Sequence, residues 1–333
     1  MRIGPVDTEQ RVALVAEIGN NHEGDAERAE AMVRAAAGAG VHAVKLQTFR
    51  AERFVSPSDE RRFAQLKRFE LSDETVIGLA RTAKELGVGF ISTPLDLPSV
   101  DLLEPIADVL KVASGDLDFF PLVRRVAATD RPLVLSSGVS DLARINRALD
   151  EVRAVRGNLD DVAVLQCTSA YPAPASDANL LAIPWLAQRL PCQIGFSDHT
   201  IGPDAAPLAV ALGARLIEKH FTLEGIESDF RDHELSLTPP QMADLVRRIE
   251  AAETLLGRPG KEVLEVERPV AEAVRRSVAA GRDLPAGHLI GEDDLVWLRP
   301  GGGVAPGREW VVVGRTLARP MAAGERITED VLT

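Results

Sequence analysis

Eight short apolar runs punctuate the chain between Val12 and Thr222, and polar side chains gather at the carboxyl end of nearly every one. They read VALVAEIGN, AVKLQTF, GFISTPL, LKVASGD, PLVLSSG, VAVLQCTS, QIGFSDH and LIEKHFT. Stretches of helical periodicity separate them, an alternation that predicts parallel strands joined by crossover helices. Eight is the number that closes an α/β (β/α)8 TIM barrel, whose chemistry sits where the strands end. A Lys, Asp or His inside an apolar strand is costly unless it faces such a site. The repeated polar endings therefore point to an enzyme.

Helices are expected over residues 25–37, over 60–86 as one long or two shorter segments, and over 140–155. The last one is the clearest: Thr238 caps, Pro239 suits the first turn, and Met242, Leu245, Val246 and Ile249 form one apolar stripe before Gly257. The barrel is thus assigned residues 1–257. A linker rich in Pro, Gly and charge follows over 258–274, and a separate domain over 275–333. That tail repeats itself. Residues 282–295 (RDLPAGHLIGEDDL) match 319–332 (RPMAAGERITEDVL) at an offset of 37, which predicts a small pseudo-symmetric β domain built from paired turns. Between the copies, 298–303 (LRPGGG) reads as a mobile loop carrying a cation.

Composition narrows the function. The chain has 333 residues, 45% hydrophobic and 26% charged, the profile of an ordinary globular protein. No apolar run reaches the roughly twenty residues that span a bilayer, and no signal peptide is evident. A net charge of −12 argues against nucleic-acid and anionic-membrane partners. Two cysteines, Cys167 and Cys192, suggest no disulfide framework and a reduced, cytoplasmic setting. Lysine is scarce, six against 32 arginines, yet Lys45, Lys111 and Lys219 all fall within predicted strands. An ammonium at such places suits phosphate or carboxylate binding.

Strand parity sorts these candidates, because alternate residues face alternate sides. Lys45 shares a face with Gln47, Ser197 with His199, and Glu218 with His220. Lys219 then points toward the helices, where it is expected to snorkel outward, and Asp198 is demoted with it. His199 and His220 end consecutive strands, so their imidazoles can meet above the barrel. Two neutral imidazoles suit a divalent metal with open positions. The competing reading makes one a general acid/base and leaves the other merely hydrogen-bonded. Glu17 is a candidate acid/base, with an ion pair to Lys45 as the structural alternative, and Asp116 offers the same choice. Thr93, Ser114, Ser136 and Ser197 are hydrogen-bond donors for an anion. No Walker, dinucleotide or nucleophile-elbow motif is present.

Several motifs in order resemble the sialic acid (N-acetylneuraminate) synthase family with its C-terminal antifreeze-like (SAF) domain. They are Ala16-Glu17-Ile18-Gly19 with Asn21-His22-Glu23-Gly24, then Val44 to Thr48, Ser92-Thr93-Pro94, Lys111 to Gly115, Ser197-Asp198-His199-Thr200, and Glu218 to Thr222. In the tail, Arg275-Arg276-Ser277, Arg299-Pro300-Gly301 and Gly314 resemble the appended domain. The resemblance implies condensation of phosphoenolpyruvate with an open-chain N-acetylated hexosamine aldehyde, with release of phosphate. It places Mn2+ or Mg2+ on His199 and His220, and the donor on Lys45, Thr93, Lys111, Ser114, Ser136, Ser169 and Ser197. Sugar contacts fall on Gln47, Tyr171 and Asp232, with Arg299 reaching over from the partner of a domain-swapped homodimer. Glu17 carries over as a catalytic or sugar-binding carboxylate. Asp116 stands where familiar members have Glu, Ser169 where Asn is common, and Leu95 where some have an aromatic. Residues 228–233 (SDFRDH) replace the usual Gly-Pro-Asp. These departures leave the acceptor sugar open among legionaminate-type, pseudaminate-type, deaminated and phosphorylated alternatives. A Schiff-base lysine aldolase and a sugar-binding protein without activity are the rival readings.

Overall fold

The computed structural model describes every residue of the chain except Glu227. Two compact units make it up, Met1–Gly257 and Arg258–Thr333. In the first, eight parallel strands close on themselves: β1 (Ala13–Gly19), β2 (Ala43–Thr48), β3 (Gly89–Pro94), β4 (Val109–Val112), β5 (Leu133–Ser136), β6 (Val162–Cys167), β7 (Gln193–Asp198) and β8 (Leu216–His220), with β8 pairing back onto β1. The expected TIM barrel is the fold of this unit.

Each apolar run forms a strand because both of its faces are buried, against different neighbours. Leu14, Val44, Phe90 and Phe196 pack with the surrounding helices in the main core. Val15, Ile91, Val109, Leu165 and Leu216 form a second cluster inside the barrel. Met1, Ile3 and Val6 join that inner cluster, so the N-terminal hairpin of Arg2–Ile3 and Val6–Asp7 plugs the end where the strands begin. Gly195 makes room for this packing, since a Cβ there would come within 2.5 Å of Leu165 Cδ2.

Inner positions change character two residues further along. Val15 gives way to Glu17, Ala43 to Lys45, Val109 to Lys111, and Leu216 to Glu218. Period-two alternation keeps each pair on one face. The barrel therefore has an apolar interior and a polar mouth.

Helices cover the outside. α1 (Ala26–Gly38) is capped by the Asp25 side chain, and the 60–86 region resolves into α2 (Glu60–Phe69) and α3 (Asp73–Glu85), capped by Asp59 and Ser72. α4 (Leu142–Arg156) starts from Asp141. In α5 (Pro239–Leu256), Met242, Leu245 and Ile249 are buried as the stripe predicted, with Val246 packed beside them. No helix of the described residues is long and apolar enough to cross a membrane.

The second unit differs from expectation at two places. The end of the 258–274 region is helical, α6 (Arg268–Val274), with Pro269 in the first turn, where a missing N–H costs nothing. The 298–303 loop is tied down rather than free: Gly301 N–H donates to the Glu272 carbonyl at 2.7 Å, and Ser277 Oγ to the Pro300 carbonyl at 3.0 Å. The rest is the small β-rich domain foreseen. β9 (Ser277–Ala280) pairs antiparallel with β10 (Leu295–Leu298). Leu284 and Met321, equivalent in the two sequence copies, exchange backbone hydrogen bonds of 2.9 Å in both directions. The bond from Gly287 to Leu317 (2.8 Å) recurs as Gly324 to Ala280 (2.7 Å), again 37 residues apart. A local two-fold axis therefore runs between Leu284 and Met321, and both side chains lie in this unit's own core.

Candidate active site

Four charged side chains meet at the mouth of the barrel. Lys45 Nζ lies 3.0 Å from Glu17 Oε1 and 3.2 Å from Glu218 Oε2, and Lys111 Nζ lies 2.6 Å from Glu218 Oε1. Ser197 Oγ donates to the same Glu218 oxygen at 2.9 Å. Gln47 Nε2 reaches Glu17 Oε1 at 3.4 Å, and Asn20 Nδ2 donates to Gln47 Oε1 at 2.9 Å. All four charges are buried, so each depends on its partners for stability.

Environment separates their proton affinities. Burial disfavours the Glu218 carboxylate, but Lys111 and Lys45 outweigh it and hold its pKa well below the usual range. Burial also acts on Glu17, and Lys45 counters it only in part, so its pKa is raised. Lys45 is raised despite burial, because two carboxylates touch it. Lys111 is lowered by burial, with Glu218 opposing.

Above this quartet stand the two imidazoles, ring centroids 5.3 Å apart. His199 Nδ1 lies 2.9 Å from the Thr168 carbonyl oxygen. A carbonyl can only accept, which assigns the ring proton to Nδ1 and leaves the Nε2 lone pair free. Burial lowers the His199 pKa to about 4 and pushes His220 well below its ordinary value. Both rings are neutral at pH 7, the form that binds a metal. Tyr171 covers them, 4.2 Å from the His199 ring and edge-on to His220 at 5.8 Å. Arg231 stacks on Tyr171, its guanidinium 4.5 Å from the ring centroid.

Hydroxyls line the cavity as well. Ser114 Oγ accepts from Gly138 N–H at 3.1 Å, and a Cβ on Gly138 would meet Ser169 Oγ at 2.1 Å, so both serines crowd one backbone amide. Asp116 follows in the same turn, its pKa raised to about 6 by burial and by Asp118. All these groups line one cavity of about 840 Å³ together with Thr93, Ser136 and Asp232. Six of its buried polar atoms find no hydrogen-bond partner among the described residues: Glu17 Oε2, Asn20 Oδ1, Thr93 Oγ1, Ser136 Oγ, His220 Nδ1 and Asp232 Oδ1. Six of the nine such atoms among the described residues fall in this one cavity, and a concentration of orphaned atoms is the mark of a ligand site, since most buried polar groups in proteins are satisfied.

A model of the NeuB family matches residues 32–261, and one of the SAF domain matches 275–333. The chain belongs to the NeuB family. It is similar to the N,N'-diacetyllegionaminic acid synthase of Legionella pneumophila, at 38% identity over 97% of this chain and 95% of the relative. It is also similar to the N-acetylneuraminate-9-phosphate synthase of Homo sapiens, at 31% identity over 96% of this chain and 92% of that one. Among solved structures, the N-acetylneuraminic acid (sialic acid) synthetase from Leptospira borgpetersenii, in complex with citrate, aligns with a TM-score of 0.74 at 30% identity, covering 81% of this chain and 94% of that one.

Within this NeuB barrel, the barrel residues expected to form the site line the same cavity: Glu17, Lys45, Gln47, Thr93, Lys111, Ser114, Asp116, Ser136, Ser169, Tyr171, Ser197, His199, His220 and Asp232. Arg299 belongs to the second unit, where it is exposed. Lys219 corrects an expectation. It does not snorkel; it is wholly buried, 3.1 Å from Asp198, because the helices close over that face of β8. Sequence reasoning missed Glu218 as a site residue, although its parity with His220 pointed inward. It missed Asn20 and Arg231, which sit on loops with no period to read, and Arg61 and Arg62, whose place at the cavity depends on how the first turn of α2 packs.

Proposed function

We propose that this chain is a nonulosonic (sialic) acid synthase that condenses phosphoenolpyruvate with an open-chain N-acetylhexosamine such as N-acetylmannosamine. The observation that carries the reading is one cavity joining Lys45, Lys111 and a set of hydroxyls to a pair of neutral imidazoles. The ammonium groups and the hydroxyls of Thr93, Ser114, Ser136, Ser169 and Ser197 bind the donor's phosphate and carboxylate. Gln47, Tyr171 and Asp232 hold the sugar, with Arg299 reaching it from the partner chain of a homodimer.

In the reaction, the enol carbon attacks the aldehyde carbon, and the aldehyde oxygen takes up a proton. Water adds to the resulting cationic carbon, and the tetrahedral centre expels phosphate by C–O cleavage. Glu17 or Asp116 removes the proton of that water. Burial raises Glu17, and Asp116 is raised to about 6, where it can exchange protons close to neutrality.

His199 and His220 fit a divalent cation, Mn2+ or Mg2+, because both are neutral and His220 Nδ1 has no partner among the described residues. Such an ion supplies Lewis acidity toward the aldehyde oxygen. Charge supports it further: the cavity lining carries five basic and six acidic side chains, an unfavourable balance for an anionic donor.

The lowered Lys111 pKa is the one feature that favours a Schiff-base aldolase. Its 2.6 Å contact with Glu218 retains the proton and opposes that role. Phosphate release from phosphoenolpyruvate, scored over a panel of 2-acetamido and 2,4-diacetamido hexoses with and without chelator, tests the proposal. Borohydride trapping of a keto acid on Lys111, without phosphate release, would replace the synthase by the aldolase.

A further inference from the structure

The turn after β1 makes a set of contacts that the proposed chemistry does not use. Glu23 holds a left-handed backbone, φ +51°, uncommon for a residue with a side chain. Next to it Gly24 sits at φ +86°, and a Cβ there would lie 1.9 Å from the Arg68 carbonyl oxygen. The turn is pressed against the end of α2, and only glycine fits the second position. Such a conformation persists where surrounding contacts over-determine it.

Those contacts run to the segment 230–237. Asn21 Nδ2 donates to the Phe221 carbonyl and to Ser236 Oγ, each at 2.9 Å, and Ser236 Oγ donates in turn to the Asp232 carbonyl at 2.5 Å. Glu23 Oε1 lies 3.3 Å from His233 Nε2, and the other ring nitrogen lies 2.8 Å from Thr222 Oγ1. The Thr222 hydroxyl can donate or accept, so His233 bridges Glu23 and Thr222 whether neutral or protonated. Held between these anchors are Arg231 and Asp232, which line the cavity together with Phe230. Asp232 Oδ1 has no hydrogen-bond partner among the described residues; Arg231 Nε lies 3.4 Å away. The Asp232 carboxylate is therefore placed by the backbone that carries it.

We infer that Asn21, Glu23 and His233 are positioning residues, which fix the 230–237 segment so that Asp232 and Arg231 meet the acceptor sugar. This rests on the reading of the cavity as an acceptor site, but its structural half stands alone. The first readout, on the full-length protein, is hydrogen exchange of the amides of 230–237. The second is phosphate release with acceptor and phosphoenolpyruvate varied separately. Losing a hydrogen bond to a charged group should open the segment by about tenfold or more in His233→Ala and Glu23→Ala, and raise the acceptor KM by a similar factor. The donor KM should stay within about twofold. Glu23→Gln keeps the accepting oxygen and should stay near wild type. If His233→Ala fails to fold, Ser236→Ala removes the other anchor under the same criteria. Unchanged exchange in 230–237, or acceptor and donor KM rising together, overturns the inference. Wild-type protein inactive with every acceptor would instead defeat the synthase reading, while the exchange data still decide the clamp.

Discussion

Lys111 Nζ and Glu218 Oε1 lie 2.6 Å apart inside the barrel mouth, and Glu218 also touches Lys45 at 3.2 Å. One carboxylate thus serves two ammonium groups that the proposed chemistry assigns to an anionic donor. Glu218→Gln leaves one buried positive charge in excess. Breaking a buried pair costs about 3–5 kcal/mol, which lowers Tm by about 6–20 °C for a domain of this size. Phosphoenolpyruvate should restore the lost charge, so its stabilising shift should be larger in the variant than in wild type. Thermal melting with and without donor checks this; an equal or smaller shift would remove Glu218 as the counter-charge.

The neutral state of His199 is fixed by burial, and its free Nε2 by the hydrogen bond to Thr168. His199→Ala should lower chelator-sensitive phosphate release by at least about 100-fold. Bound manganese, measured on the isolated protein, should fall with it. Near-wild-type turnover at saturating Mn2+ would contradict the ligand assignment.

Asp116 titrates near 6 because burial and Asp118 disfavour its charge. If it removes a proton from water, its ionised form is needed, and kcat/KM should decline as pH falls through about 6. Asp116→Asn should abolish this acid limb and most of the activity. A limb unchanged in the variant assigns it to Glu17 instead.

The barrel was legible because its signal is local and repeated: eight apolar runs, each with polar ends. Parity then brought Lys45, Gln47, Ser197, His199 and His220 onto shared strand faces without any tertiary information. What escaped depends on distance in sequence. Nothing in the run LIEKHFT reveals that Glu218 sits between lysines from β2 and β4, since that contact exists only once the ring closes. Lys219 was misjudged for a related reason. Parity sent it toward the helices correctly, but whether that face opens to water depends on packing that no single strand encodes. Arg231 lies on a loop, where periodicity carries no information, and Arg61 and Arg62 lie in the first turn of α2, whose meeting with the cavity is again a matter of packing.

Burial makes Lys219 a liability if its partner is lost. Its ammonium lies 3.1 Å from Asp198, which also accepts from the Thr200 N–H at 2.8 Å and hydroxyl at 2.7 Å. Lys219→Met should cost about 3–5 kcal/mol by stranding the Asp198 charge. The Asp198→Asn/Lys219→Met double variant should recover part of that loss, because no charge is left to desolvate. Denaturant melts of the three proteins measure the coupling. A single variant as stable as wild type would mean that the pair contributes nothing.

His22 links stability to pH. It is wholly buried, its Nδ1 accepts from Gly24 N–H at 3.0 Å, and burial lowers its pKa to about 4 from an ordinary 6.5. Between those values the unfolded chain binds a proton that the folded chain refuses. Stability is therefore fully present above pH 6.5 and is lost as pH falls toward 4, by up to about 1.4 kcal/mol per pH unit and roughly 3 kcal/mol in all. His22→Asn keeps an acceptor for Gly24 N–H but cannot titrate. Its absolute stability should be lower, since the ring leaves a gap in the core. The slope of stability against pH between 6.5 and 4.5 should nonetheless be shallower than in wild type. Parallel slopes in the two proteins, followed by chemical denaturation across that range, would show that His22 is not the titrating group.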